Sequence, residues 1–561
     1  MKIKGRHKSL CWFIVLLLSY ALMGCESPVK IDDELVLMDN EVKDDYHHPG
    51  LAKYEEVIDV HLVRETSDNM ARLVEHFPDE TLTDNRWINL YREVLGINIQ
   101  YDWIAETPLY HQQLAIDLMS GQLPDIFKVN AQQLQQLAEA GLIQDLSHVF
   151  DDYATPLTKD VMIQEGMHPL EAATIDEKLM GIPEVESSIE TAQFMWIRTD
   201  WLEQVNLNPP KTMDDVLTIS KAFTFDDPNQ TGEDDTYGLA VTNYLWNNMG
   251  GLVGFMAGYG AYPNIWIMDD AGELVYGGIQ SEVKEALTVL QELYKSGQID
   301  SEFMFKDGSK VKEQIANGEV GMLYGEQWAP FYVEESLENN PQAKWAPFPI
   351  VSATPDSPHI PIQNKTNNFW VVRKGFEYPE AIVKLINLHL EKNWGETAEY
   401  DVYYSTPYSI WQLSPVTPYP VLKNLEAFYQ LEEARDNDDL SILNGEAAAI
   451  HSKIENYFNV GDKTGWGWSL TYGVDGAFSI LDDYIKNDQL LIDQFIWPPT
   501  ETMIDMKALL DDRQLDTYQN IILGNPVSEF DAFVEDWNRM GGNNMTKEVN
   551  LIQQRNENDK K

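Results

Sequence analysis

The chain changes its hydrophobic period again and again, and that alternation leaves few architectures open to it. Leu114, Ala115, Leu118 and Met119 recur at helical spacing and stop at Gly121; Leu123-Pro124-Asp125 then turns into the strand-like Ile126-Phe127-Lys128-Val129. Leu134, Leu137 and Ala138 make a second helical stripe closed by Gly141, and Thr212 with Asp215 three residues on spells a helix start. Val283, Ala286, Leu287, Leu290 and Leu293 form an amphipathic helix ending at Gly297. Val320 to Tyr324 and Phe369 to Val372 read as buried strands, and Pro379 suits the first turn of a helix carrying Ile382, Leu385 and Ile386. Helices alternating with buried strands argue an α/β fold, and no fixed-period repeat points to a solenoid or propeller.

Length and charge narrow the function. The 561 residues suggest several domains, and 40 basic against 91 acidic side chains give a net charge of -51, a surface that repels nucleic acid. Lys2, Lys4, Arg6 and Lys8 precede an uncharged, mainly apolar run from Leu10 to Leu22, the layout of a signal peptide. It ends in Leu22-Met23-Gly24-Cys25, which resembles the lipobox of bacterial lipoproteins. That resemblance implies cleavage after Gly24, lipidation of Cys25, and a protein held by its N-terminal lipid on the outer face of the cytoplasmic membrane. The only other cysteine, Cys11, would leave with the signal, so a disulfide, a thiolate metal site and a cysteine nucleophile are excluded from the remainder. Residues 25–54 read as an acidic tether and 551–561 as a polar tail.

Between them a set of short segments falls in a recognisable order. They are Asp84-Asn85-Arg86-Trp87, Ser120-Gly121-Gln122-Leu123-Pro124-Asp125-Ile126, Gly181-Ile182-Pro183, Trp196 to Leu202 followed by Pro210-Lys211-Thr212, Asp227 to Leu239, Gly318 to Met322 with Trp328, and Gly541-Gly542 with Thr546 to Asn550. By them the chain resembles the family 1 extracellular solute-binding proteins, receptors of carbohydrate ABC importers, in their long lipoprotein (LipO-like) branch. The resemblance implies a two-lobed periplasmic-binding-protein-like α/β fold (type II, maltose-binding-protein-like) with a hinge. Residues 55–185 plus 368–430 would form the N-lobe and 186–367 plus 431–550 the C-lobe, with crossings near Pro183-Glu184 and Asn367-Asn368.

Sugar recognition needs flat apolar faces for pyranose C–H surfaces and carboxylates or amides for hydroxyls. Sixteen tryptophans supply faces. Trp328, in Gly325-Glu326-Gln327-Trp328, resembles the Gly-Pro-Trp segment by which maltose-binding proteins stack their sugar, and Trp246 falls where those receptors also offer aromatics. Trp266, Trp370, Trp411 and Trp468 are further candidates, Glu186 and Glu326 candidate carboxylates, and Asn130 a candidate amide at a strand end. The uncharged stretch Thr236 to Met268 is too rich in Asn for a membrane span and reads as a packed segment near the cleft.

Asp227-Pro228-Asn229-Gln230-Thr231-Gly232-Glu233-Asp234-Asp235 has the start of a calcium loop: side-chain oxygens at Asp227, Asn229, Thr231 and Asp235, the backbone carbonyl of Glu233, and glycine at the sixth place. Gly238 stands where an EF-hand has its closing glutamate, so the loop is either a nonstandard structural Ca2+ site or a polar turn. Some alginate-binding members of the family hold calcium in a similar loop. No zinc-protease, serine-hydrolase or phosphate-loop motif occurs, so no catalytic residue or catalytic cofactor is expected. The sequence therefore points to a monomeric, noncatalytic receptor for an oligosaccharide that meets ABC permease subunits in the membrane. A secreted glycan-active hydrolase or lyase, a peptide receptor, and a ligand sensor feeding a membrane kinase remain alternatives.

Overall fold

The computed structural model describes residues 48–559 except 167, 364–365 and 406–407. The expected signal peptide, Cys25 and most of the expected tether lie outside the described residues. Eight strands build the two principal sheets: β1 (Ile58–Thr66), β2 (Ile97–Glu106), β3 (Ile126–Asn130), β4 (Ile182–Pro183), β5 (Phe194–Arg198), β6 (Met322–Gly325), β7 (Trp345–Phe348) and β8 (Asn368–Val372). Eight of the helices are needed below: α1 (Thr107–Ser120), α2 (Ala131–Glu139), α3 (Met213–Phe225), α4 (Ser281–Lys295), α5 (Ala381–Trp394), α6 (Lys423–Asn437), α7 (Glu501–Ile522) and α8 (Asn543–Asp559).

The first sheet has the order β2-β1-β3-β8-β4; β1 runs parallel to β2 and β3, whereas β8 is antiparallel to β3 and β4. Parallel neighbours need crossover helices on the sheet faces, and α1, between β2 and β3, is one of them. The second sheet, β6-β5-β7, is antiparallel throughout and centred on β5, whose five residues are all buried. Arg198 closes β5 at 2% exposure, satisfied by a two-pronged pairing with Asp200 (2.7 and 2.6 Å) and stacked over Trp201.

The buried apolar residues fall into two separate clusters. One comprises segments from Leu51 to Val185 and from Phe369 to Val421; the other runs from Ala192 to Ile362 and from Leu425 to Val549. We call them the N-lobe and C-lobe cores. Leu425, Ala427 and Phe428, expected on the N-lobe side, pack in the C-lobe core because α6 lies against the helices that follow it.

Local signals translate well. Gly121 and Gly141 adopt the left-handed conformation just after α1 and α2, and Thr212 with Asp215 forms a complete capping box at α3. Three readings need correction. Pro379 stands in the turn before α5, whose N-cap is Glu380. Residues 48–54, assigned to the tether, are docked: Lys384 Nζ donates to the carbonyls of Pro49 (2.7 Å) and Ala52 (2.6 Å), and Asn387 Nδ2 to that of Gly50 (3.0 Å). The stretch read as a tail is helical through Asp559, because α8 carries Val549 into the core and continues beyond it. No helix among the described residues is long and apolar enough to cross a membrane.

Candidate functional site

Two chain crossings between the cores run side by side. On the N-lobe side β4 pairs with β8, and the Glu184 N–H donates to the Asn368 carbonyl (2.9 Å). On the C-lobe side the Gln363 N–H donates to Thr191 Oγ1 (3.1 Å). The Glu165 carboxylate reaches over from the N-lobe and accepts from Ser187 Oγ (3.0 Å), Ser188 N–H (2.7 Å) and Ile189 N–H (3.3 Å). A third crossing passes between Val421 and Leu425.

A cavity flanks these crossings in each lobe. The N-lobe cavity, about 200 Å3, lies where β1 and β3 end, the place where α/β sheets present their loops to ligands. Trp370 and Trp411 contribute aromatic surface, and Tyr101 and Tyr110 add phenols whose pKa burial raises, so both stay protonated donors. At its floor Lys128 Nζ sits 3.2 Å from Glu184 Oε2 and 3.8 Å from Glu65 Oε2. Arg64, 6% exposed, donates to the carbonyls of Gln412 (2.6 Å) and Leu413 (3.0 Å) and to the Tyr101 hydroxyl (3.2 Å).

The C-lobe cavity is tighter, about 20 Å3, and half of its lining is amide or aromatic: Gln193, Asn248, Asn264 and Gln363 with Trp246 and Tyr262. Gln193 Oε1 is fixed by the Gly254 N–H (3.1 Å). Glu326, 8% exposed, lines the same cavity and accepts from Trp328 Nε1 (2.7 Å). The adjoining Gln327 donates to Glu190 (3.2 Å), which also accepts from Asn424 Nδ2 (3.1 Å). Burial there pushes the Glu190 carboxyl up to about 7, against the pull of Lys423.

The expected ligand residues separate into three groups. Trp370 and Trp411 line the N-lobe cavity, Trp246 and Glu326 the C-lobe cavity, and Trp328 stands half-exposed beside Glu326. Glu186 lines another cavity of about 20 Å3 at the crossings with Glu165, His168 and Asp493. Three differ from expectation. Trp266 is 3% exposed in the C-lobe core between Tyr276 and Phe495. Trp468 has one face covered by Lys453, 3.9 Å from its ring centre, and its edge against Phe331. The Asn130 side chain is engaged in the capping box of α2. The residues sequence reasoning missed, Arg64, Glu65 and Lys128, lie in or close to the last turns of β1 and β3. The strand-end rule could have found them had strand ends been weighed as heavily as tryptophans.

In the 227–235 loop the side chains hydrogen-bond to one another and to the loop backbone. Asp227 Oδ1 and Oδ2 accept from the N–H groups of Thr231 (2.9 Å) and Gly232 (3.1 Å), while Asp235 accepts from Asn229 Nδ2 (2.9 Å) and Thr231 Oγ1 (3.1 Å). Glu233 contributes its N–H to Thr231 Oγ1 (3.3 Å). Among the described residues no group of three or more His, Cys, Asp or Glu side chains is placed to hold a metal, and this loop offers two carboxylates with an amide and a hydroxyl. An all-oxygen set of that kind suits a hard cation and no other.

Comparison with known proteins places the family and the fold. The profile of the family described as "Bacterial extracellular solute-binding protein" matches residues 78–392. "Lipoprotein LipO" of Bacillus subtilis (strain 168) is 23% identical over 469 residues, covering 82% of this chain and 87% of LipO. The polygalacturonan/rhamnogalacturonan-binding protein YtcQ of the same organism is 26% identical over 244 residues, 43% of this chain and 46% of YtcQ. Among solved structures, the S.pneumoniae ABC-transporter substrate-binding protein FusA, an EF-hand mutant in complex with fructo-nystose, superposes with a TM-score of 0.59 at 15% identity, over 90% of this chain and 100% of that one. That likeness shows the fold: two α/β lobes joined by a hinge, as expected from the sequence.

Proposed function

Since the chain belongs to the bacterial extracellular solute-binding proteins, we propose that it is a noncatalytic, monomeric receptor that captures an oligosaccharide between its lobes and presents it to the permease subunits of an ABC importer. One observation carries this reading: a cavity in each lobe, both flanking the same paired crossings, with aromatic faces and hydroxyl-binding groups in each. A ligand touching both walls stabilises the closed state, because only there are all its contacts made at once. The lobes would be residues 55–185 with 368–430 and 186–367 with 431–550, adjusted so that Leu51 joins the first and Leu425, Ala427 and Phe428 the second, where the two cores hold them. Trp370 and Trp411 would face the sugar from one lobe, and Trp246, Glu326 and Trp328 from the other.

Attachment through a lipid on Cys25 to the outer face of the cytoplasmic membrane follows from the sequence preceding the folded body, and the relative LipO is itself named a lipoprotein. Calcium in the 227–235 loop would be structural, and FusA is described with an EF-hand. Chelation should then lower the melting temperature, and Asp227→Ala should abolish that response; a melting curve indifferent to both calcium and chelator defeats the assignment.

Thermal-shift screening of the detergent-purified full chain against oligosaccharides tests the receptor reading, since a ligand bound only by the native state raises its melting temperature. A saturable shift with one class of sugar, lost in Trp328→Ala, is the expected result. Turnover of the glycan, or a response to peptides alone, would overturn it.

A further inference from the structure

Among the described residues, Arg64 and Lys128 of the N-lobe cavity are the cationic side chains lining these two walls, and neither is available to an anion. Lys128 stands between Glu65 and Glu184, so the three together carry a net negative charge. Arg64 is 6% exposed, with its donors committed to the carbonyls of Gln412 and Leu413 and to the Tyr101 hydroxyl. Across the crossings, Glu326 is the single ionisable acid or base lining the C-lobe cavity besides the phenol of Tyr262. The negative field is felt locally: Glu65 and Glu184 add to burial in holding the Tyr110 phenol in its neutral form. A uronate carboxylate entering this space would lose water and gain no free cation, whereas sugar hydroxyls could donate to Glu65 and Glu184 and accept from Lys128.

Resting on the receptor reading, we propose that the Glu65–Lys128–Glu184 triad makes the chain selective for uncharged oligosaccharides and against those containing uronic acids. The carboxylates do two things at once. They fix the ammonium so that it is a hydroxyl donor in place of a carboxylate anchor, and they repel a second anion at short range. Because the bound ligand carries no charge, its affinity changes little between low and high salt.

Isothermal titration of the full chain with trimers to hexamers of uncharged glucans, fructans, galactans, mannans and xylans, set against galacturonate, guluronate and mannuronate oligomers of equal length, tests this. The expected result is saturable binding of an uncharged series with the uronates roughly tenfold or more weaker, a gap of about 1.4 kcal/mol per decade. Tighter binding of a uronate series overturns the selectivity and leaves the receptor standing. Binding by neither series overturns both. Glu65→Gln combined with Glu184→Gln frees Lys128 and should raise uronate affinity roughly tenfold while weakening the uncharged ligand. A variant that keeps its near-ultraviolet circular dichroism and shows no gain for uronates removes the triad from the explanation. Should the double variant fail to fold, the unmodified chain's preference between the two series still decides.

Discussion

Gly321 packs against the indole of Trp201, where an added Cβ would stand 2.2 Å from Cε3 and 3.1 Å from the Phe223 ring. Both rings are buried in the C-lobe core, so neither can move aside cheaply, and Gly321→Ala should destabilise by roughly 1–3 kcal/mol in urea unfolding. Glu190 gives a prediction of sign. Its folded-state carboxyl lies at about 7 against an ordinary 4.5, so the folded chain holds a proton that the unfolded chain releases. Its share of stability is therefore full in acid, falls as pH rises between those two values, and stays lost above them. Glu190→Gln should remove that slope from the melting temperature measured between about pH 5 and about pH 8. His389 works the other way: buried against Trp87 and lowered to about 3, it resists protonation and withdraws stability as pH falls below 6.5. Of these residues the sequence announced none, because each acts through neighbours distant in the chain, and the same holds for Lys128 between Glu65 and Glu184. Trp328, Trp370 and Trp411 were legible as aromatics, yet so was Trp266, and only packing separates a ring that lines a cavity from one that fills a core.

At the level of single elements the sequence speaks more plainly. The Thr212 hydroxyl accepts from the Asp215 N–H (3.2 Å), and Asp215 in turn accepts from the N–H groups of Lys211 and Thr212 (3.0 Å each), which also hold its carboxyl below the usual carboxylate range. Thr212→Ala should lower stability by about 1 kcal/mol, read from the urea midpoint at constant slope. In α4 every residue of the apolar stripe is buried, since its two faces differ sharply in polarity. In α1 the period was right and the face was not. Leu114 is buried, but Ala115 is exposed and Met119 is 82% exposed, because Trp103 packs edge-to-face with Tyr110 and donates to Asp117 and so fixes which side of the helix turns inward. A helix with apolar residues on two sides leaves that choice to its partners.

For the molecule as a whole, alternation gave the α/β class, whereas the antiparallel return of β8 beside β3 could be read only through resemblance, since pairing across more than two hundred residues leaves no local mark. Ligand should reduce the radius of gyration in small-angle scattering as the lobes close, and an unchanged scattering curve at saturating ligand would exclude hinge closure. The clasp at the entry of the chain bears on how such a molecule would sit if it is moored by its N-terminus. Lys384 and Asn387, both on α5, grip Pro49, Gly50 and Ala52, so a pull on the preceding residues passes into the N-lobe core and nowhere crosses the hinge. An N-lobe moored in that way would carry the whole load, and its partner would swing free of the mooring line.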